Sequence, residues 1–264
     1  MAAEEKLTEI PRGKNGFLGF PINTDLNNID AHIAVLGVPY GLPYTPDELS
    51  NDQSRTPDLL RENAQDAGWS EPRTTKHFDW DLGGPILDNR NVRVVDCGNV
   101  TADFKNPREH YRRAEVCAKK IFQSGAVLIT IGGDHGIPIP IMRALPTDEP
   151  ITLIQIDAHL DWCDSVNGEK EGYSSGIRRA SELPFIKDIF QIGLRGVGSG
   201  REEEMNVRHY AMRTRLNKSG GKVNIYDLAR NAGTSVNQLE RFYLKRMKVS
   251  KKQRENLNRF DSTE

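Results

Sequence analysis

Short apolar runs that close on glycine, proline or aspartate recur between residues 32 and 193, and they constrain the fold more than any other feature. They are His32–Pro39, Val92–Asp96, Ala126–Ile131, Ile151–Ile156 and Asp188–Gly193. Runs of this length, rich in Ile and Val and largely without polar alternation, predict strands buried on both faces. Helical stretches separate them. Arg55–Arg61 carries Thr56 as a cap and Pro57 at the first helical position. Pro107–Phe122 repeats Tyr111, Ala114, Ala118, Ile121 and Phe122 at three-to-four spacing, which puts them on one face. Ile137–Leu145 reads as a shorter helix. Strands alternating with helices predict an α/β fold, a three-layer architecture in which a parallel sheet is flanked by helices. Residues 1–30 read as an irregular leader, and residues 66–90 as a loop too long for a plain connection.

In a sheet of this kind the ligand site lies beyond the carboxyl ends of the strands. The third run leads into Gly132-Gly133-Asp134-His135 and the fourth into Asp157-Ala158-His159-Leu160-Asp161. In an extended segment residues i, i+2 and i+4 point the same way, so Asp157, His159 and Asp161 are expected to converge. With the two runs as adjacent strands, His135 joins them. Carboxylates and imidazoles without a thiolate suit a hard-to-borderline divalent ion such as Mn2+. Paired glycines before Asp134 let the backbone turn sharply. Each piece has a plainer reading: a strand-to-helix turn capped by His135, and a polar loop over 157–161. Their joint occurrence at two strand ends favours the metal site.

Composition excludes several other classes. No run approaches the roughly 18 apolar residues of a membrane span. Met1-Ala2-Ala3-Glu4-Glu5-Lys6 lacks the basic segment and apolar stretch of a secretory signal, which leaves a cytoplasmic location as the expectation. Cys97, Cys117 and Cys163 are odd in number and far apart, which fits neither a disulfide framework nor a thiolate metal site. The net charge of −1 hides a polarity. Residues 206–264 hold 14 Lys+Arg against 5 Asp+Glu, leaving 22 against 32 for residues 1–205. Opposed blocks of this size predict two parts, an α/β domain over 1–205 and a basic helical tail over 206–264.

The paired motifs resemble the first two metal signatures of the ureohydrolase (arginase/agmatinase) family in order and spacing. The likeness extends over residues 31–200. Gly172-Tyr173-Ser174-Ser175-Gly176-Ile177-Arg178-Arg179-Ala180 resembles the substrate-side loop of the agmatinase branch, and Gln191–Ser199 its next strand and turn. Ala34–Tyr40 with Arg55–Arg61 is similar to the family's first strand and following helix. The resemblance implies an arginase-like fold and metal-dependent hydrolysis of a guanidino C–N bond. Two Mn2+ ions in the family acidify a water for attack on the guanidinium carbon. Carried over, His135 and Asp161 hold one ion, Asp157 bridges both, and His159 holds the other. Asp157, His159 and Asp161 are then the catalytic set, with Asp134 behind His135 and orienting it. Ser174, Ser175 and Gly176 belong to the loop facing a small guanidino substrate, and a homo-oligomer is implied by the same likeness.

This sequence departs from the family pattern at several places. The family's later Asp-x-Asp motif has no counterpart after Ser199. Four of the six expected ligands are thus present, and the α/β domain is expected to be truncated after its fifth strand. Fewer carboxylates leave the ions' charge under-compensated, which predicts weakened metal affinity. Ser175 stands where the branch usually has His. Beyond Met205 the sequence changes in kind. Residues 206–246 resemble the C-terminal end of a phage-type tyrosine recombinase (integrase), with Arg208-His209 similar to its second-box Arg-His and Tyr243 at the place of its nucleophile. The plainer reading is a basic helical tail whose Tyr243 packs on an apolar face. A basic segment of this kind is expected to make weak, salt-dependent contacts with nucleic-acid phosphates. The alternative to a ureohydrolase is therefore a non-catalytic chimeric protein with a DNA-binding, integrase-like tail.

Overall fold

A computed structural model describes residues 6–50, 52–66, 78–81, 83–85, 91–146 and 149–195. The chain divides into two units, one of residues 1–150 and 163–185, the other of residues 151–162 and 186–264. Along the chain the first unit runs β1 (Thr8–Glu9), β2 (Ile33–Val38), α1 (Thr56–Asp66), a short antiparallel pair β3 (Phe78–Asp79) and β4 (Gly84–Pro85), β5 (Val94–Val100), α2 (Pro107–Gln123), β6 (Val127–Gly132), α3 (Pro138–Arg143) and α4 (Gly176–Ser181). The second unit contains β7 (Ile151–Ile156) and β8 (Ile186–Ile192).

The first unit is built on a sheet ordered β1-β5-β2-β6. β2 pairs in parallel with β5 on one side and β6 on the other. Its residues Ala34–Val38 are all buried, as an apolar run without alternation predicts for a central strand. β1 arises in the segment expected to be irregular, and runs antiparallel to β5 with Thr8 opposite Val100. The leader is docked by backbone bonds: the Asp96 N–H donates to the Pro21 carbonyl and the Asn23 N–H to the Asp96 carbonyl, both at 2.9 Å. Periodicity carries no trace of this, because main-chain bonds in an extended segment are indifferent to side-chain type.

α2 follows its sequence signals. Asn106 caps it by accepting the Glu109 N–H at 3.3 Å, and Pro107 opens it. Its buried face holds Tyr111, Ala114, Cys117, Ala118 and Ile121. Leu36 and Val38 of β2, Val95, Cys97 and Val100 of β5, and Ala114, Cys117 and Ile121 of α2 form the core of the unit. Each large side chain buried there contributes about 1.5–3 kcal/mol. Burial pushes the Cys97 thiol up to about 12, which keeps it protonated and inert.

A charged network lies within the same unit. Arg61, 1% exposed, forks onto Asp96 with Nε donating to Oδ2 at 2.8 Å and Nη2 to Oδ1 at 2.9 Å. Its Nη1 donates to Asn99 Oδ1 at 2.6 Å, and Asn99 Nδ2 donates to Asp58 Oδ1 at 2.7 Å. Asp96 Oδ2 also accepts the Phe17 N–H at 2.7 Å. One carboxylate therefore joins α1, β5 and the leader.

In the second unit β7 and β8 are parallel neighbours, with Thr152–Ile156 opposite Asp188–Ile192. Ile154, Ile156, Phe190 and Ile192 share one face of this ladder and are 60%, 81%, 53% and 55% exposed. Gln155 and Gln191 share the other face. Among the described residues β6 pairs with β2, and β7 pairs with β8. One expectation is overturned here: these strands are not covered on both faces, since Val127 of β6 is 64% exposed and Ile156 of β7 81%. β6 has a partner on only one side and β7 lies in a two-stranded sheet among the described residues. Among these residues no helix is long and apolar enough to cross a membrane.

Candidate functional site

The first unit carries Asp134, His135 and the Ser174–Gly176 loop. β6 ends at Gly132, and the Gly133 N–H donates to the Val38 carbonyl at 3.3 Å, keeping the turn against the end of β2. Asp134 closes that turn: Oδ2 accepts the Gly41 N–H at 2.5 Å and Oδ1 the Gly136 N–H at 2.7 Å. Burial pushes its carboxyl above the ordinary range, and the two backbone N–H groups hold it back. Asp134 thus ties the loop after β2 to the turn after β6. His135, next along the chain, is exposed at the mouth of β6.

The loop from Cys163 to Ser175 is fastened along its length. The Cys163 N–H donates to the Ser174 carbonyl at 3.0 Å, and Val166 and Glu169 exchange backbone bonds at 2.9 Å. Arg108 Nη2 donates to Glu169 at 2.8 Å, and Arg143 pairs with Glu171. Tyr111, buried in α2, donates its hydroxyl to the carbonyls of Gly136 and Glu171, each at 3.2 Å. At the far end the Ser174 N–H donates to the Tyr44 hydroxyl at 3.0 Å, and that hydroxyl lies 2.5 Å from Ser174 Oγ. A Cβ on Gly172 would overlap the Tyr44 ring, so glycine is required there for the close approach. Ser175 and Gly176 are buried at the start of α4, and Ser175 Oγ has no hydrogen-bond partner among the described residues.

The second unit carries Asp157, His159 and Asp161. The alternation expected of an extended segment does not persist past Ile156. Asp161 sits at φ +49°, in the left-handed region that aspartate tolerates better than most residues, so 157–161 is a turn. Within it Asp157 Oδ1 accepts the His159 backbone N–H at 2.7 Å and lies 3.1 Å from His159 Nδ1. The His159 side chain is 77% exposed. Asp161 is buried, and its Oδ2 accepts from Gln155 Nε2 at 2.7 Å. Gln191 Nε2 in turn donates to Gln155 Oε1 at 2.6 Å and to the Leu160 carbonyl at 2.9 Å. Sequence reasoning missed Gln155 and Gln191. Their signal is a lone glutamine inside each apolar run, Ile154-Gln155-Ile156 and Phe190-Gln191-Ile192. It missed Tyr44, Tyr111 and Glu171 as well, which carry no motif. Arg208, His209 and Tyr243 lie outside the described residues.

The donor types in both units suit a divalent ion bound through oxygen and nitrogen. The carboxylates of Asp157 and Asp161 are each fixed by a hydrogen bond from their own unit, as metal-binding carboxylates are. His159 Nδ1 stands against Asp157, which leaves Nε2 as its ligand atom.

Comparison with known proteins adds the family. The chain is 29% identical over 191 residues to the mitochondrial guanidino acid hydrolase of Homo sapiens, covering 70% of this chain and 49% of that protein. It is 30% identical over 189 residues to the mitochondrial agmatinase of Gallus gallus, covering 70% of this chain and 51% of that protein. The chain thus spans about half the length of these relatives. Among solved structures, Trypanosoma cruzi formiminoglutamase with Mn2+ superposes with a TM-score of 0.52 at 21% identity, over 68% of this chain and 58% of that one. That likeness establishes the fold alone. The sequence profile of the arginase family matches residues 31–244, a span that holds both the 132–135 and 157–161 motifs, and the chain belongs to that family.

Proposed function

We propose that the chain carries the chemistry of a guanidino C–N hydrolase, an amidinohydrolase reaction dependent on divalent metal, with Mn2+ as the ion. The observation that carries this reading is the donor set itself: exposed His135 at the mouth of β6, and Asp157, His159 and Asp161 just past the end of β7, inside a family match spanning both. His135 and Asp161 are assigned to one ion, Asp157 to both and His159 to the other. Asp134 is assigned to the support of the turn that presents His135, and Ser174, Ser175 and Gly176 to the loop beside the substrate. The solved Trypanosoma cruzi relative contains Mn2+, which supports the choice of ion. Such ions, when bound, lower the pKa of a coordinated water so that it can attack the guanidinium carbon. The chain's own contribution is positioning: Gln155 fixes Asp161, Asp157 and His159 fix one another, and Tyr44 fixes Ser174.

Urea release from agmatine, arginine and 4-guanidinobutanoate by the purified chain supplied with Mn2+ tests this. Release that stops on chelation and in His135→Ala is expected. No release from any of the three overturns the reading.

The charge of the last segment favours a second role. Residues 206–264 hold 14 Lys+Arg against 5 Asp+Glu, and a segment of that charge is expected to contact nucleic-acid phosphates weakly. Retention on DNA that falls steeply between low and moderate salt is the expected result, and salt-insensitive or absent retention rejects it.

A further inference from the structure

β7 and β8 leave one face of their ladder bare. Ile154 and Ile156 stand opposite Phe190 and Ile192, and all four side chains are more than half exposed. Parallel strands ordinarily carry helices on both faces, because neither face alternates apolar with polar residues. The patch is small. A strand of the length of Ile151–Ile156 spans about 20 Å and two strands about 10 Å across, which gives a face of about 200 Å². A stable complex between separate chains buries about 800 Å² on each partner, so this face alone is too small to hold a second copy. A helix of about twelve residues is about 18 Å long and about 10 Å across, and it matches the face in both dimensions.

We propose that the occupant is a segment of this same chain, residues 236–247, which lies outside the described residues. Its sequence fits the role. Val236, Leu239, Tyr243 and Met247 recur at spacings of three, four and four, which puts them on one side of a helix. Ser235-Val236-Asn237-Gln238 is a capping box at the place where that helix starts. Arg241, Lys245 and Lys248 fall on the opposite side. The arginase-family match continues to residue 244, well past Ser235, which ties the segment to the α/β domain. Tethering favours it further: residues 193–235 join it to the end of β8, so docking is intramolecular and avoids the entropy cost of association. Val236, Leu239, Tyr243 and Met247 then pack on Ile154, Ile156, Phe190 and Ile192. Tyr243 is a packing residue in this arrangement, and Arg241, Lys245 and Lys248 are left facing solvent.

Amide exchange of the full chain, read by mass spectrometry, tests the docking, with a synthetic peptide of residues 232–250 as the reference. An isolated helix of this length is marginal in water, so protection in the chain has to come from packing. The amides of residues 239–247 are expected to exchange at least about tenfold more slowly in the chain than in the peptide. The slowing should be independent of protein concentration, with the chain monomeric by sedimentation. Phe190→Asp should return these amides to the rate of the peptide, whereas Phe190→Leu should not. Leu239→Asp, which leaves β7 and β8 unaltered, should have the same effect as Phe190→Asp, so the test does not depend on one variant folding. Exchange in the unaltered chain as fast as in the peptide overturns the proposal without any variant. Protection that Phe190→Asp leaves intact also overturns it, because the segment then packs elsewhere. Protection that develops only as the chain dimerises overturns it as well, and gives the face to a second copy.

Discussion

Gln155 donates its side-chain N–H to Asp161 Oδ2 at 2.7 Å, from a position on β7 that is itself buried. The bond matters because Asp161 lies in a turn at positive φ rather than on a strand, so no regular backbone orients it. Gln155→Leu fills the volume but removes the donor to Asp161 and the acceptor of one Gln191 Nε2 bond. A loss of about 1–3 kcal/mol in unfolding free energy is expected from urea denaturation. Mn2+ affinity should fall about 10- to 100-fold, as when an outer partner of a metal ligand is removed. Unchanged stability and unchanged affinity together would show that Asp161 does not depend on Gln155.

Arg61 and Asp96 form a fully buried fork, so removing one charge leaves the other unpaired. Arg61→Met should destabilise the chain by about 3–5 kcal/mol, enough to unfold a marginal protein at 37 °C. Replacing both partners by apolar residues should recover much of that loss. Denaturant midpoints of the single and double variants measure the difference, and equal losses in the two would contradict the buried-charge account.

His110 supplies a pH dependence. Burial holds its imidazole down at about 4 from an ordinary 6.5, against the opposing pull of the ring's hydrogen bonds to the backbone of Thr101 and Tyr40. The folded chain therefore keeps it neutral while the unfolded chain takes up a proton. Its contribution is fully present above pH 6.5 and is lost as pH falls from there towards 4, about 3 kcal/mol over the window. His110→Gln, which does not titrate, should flatten that part of the stability profile relative to the parent. Parallel profiles for the two proteins between pH 7 and 4 would rule the assignment out.

Tyr44 holds the Ser174 end of the 163–175 loop through a single hydroxyl that meets both Ser174 N–H and Ser174 Oγ. Tyr44→Phe keeps the ring packed against Tyr173 and deletes only those bonds. A cost of about 1–2 kcal/mol is expected, with faster amide exchange confined to residues 172–175. Exchange that rises evenly across the first unit would mean that the ring, rather than the hydroxyl, supports the loop.

Much of the first unit was legible in sequence because its signals are local. Thr56-Pro57 marks a helix start, the three-to-four spacing from Tyr111 to Ile121 marks a buried helix face, and the Ile33–Val38 run is apolar because β2 has a neighbour on each side. The motif residues were also legible, since Gly-Gly-Asp-His and Asp-Ala-His-Leu-Asp combine ligand chemistry with strand ends. Their arrangement was not. Pairing of β7 with β8, and of β2 with both β5 and β6, depends on long-range register, which the apolar runs do not encode. The positive φ of Asp161 defeated the alternation expected of an extended segment. The supports were illegible for a different reason. Tyr44, Tyr111 and Glu171 act through side-chain bonds across long sequence separations, and nothing in their immediate neighbours announces a partner.

The account stands on His135, Asp157, His159 and Asp161 acting together on divalent ions. Metal analysis after equilibrium dialysis against Mn2+, on the parent chain and on His135→Ala and Asp157→Ala, tests that most directly. Mn2+ retained by the parent and lost from both variants, each still folded by circular dichroism, is the predicted result. Retention that neither substitution reduces, or no Mn2+ on the folded parent, would contradict it.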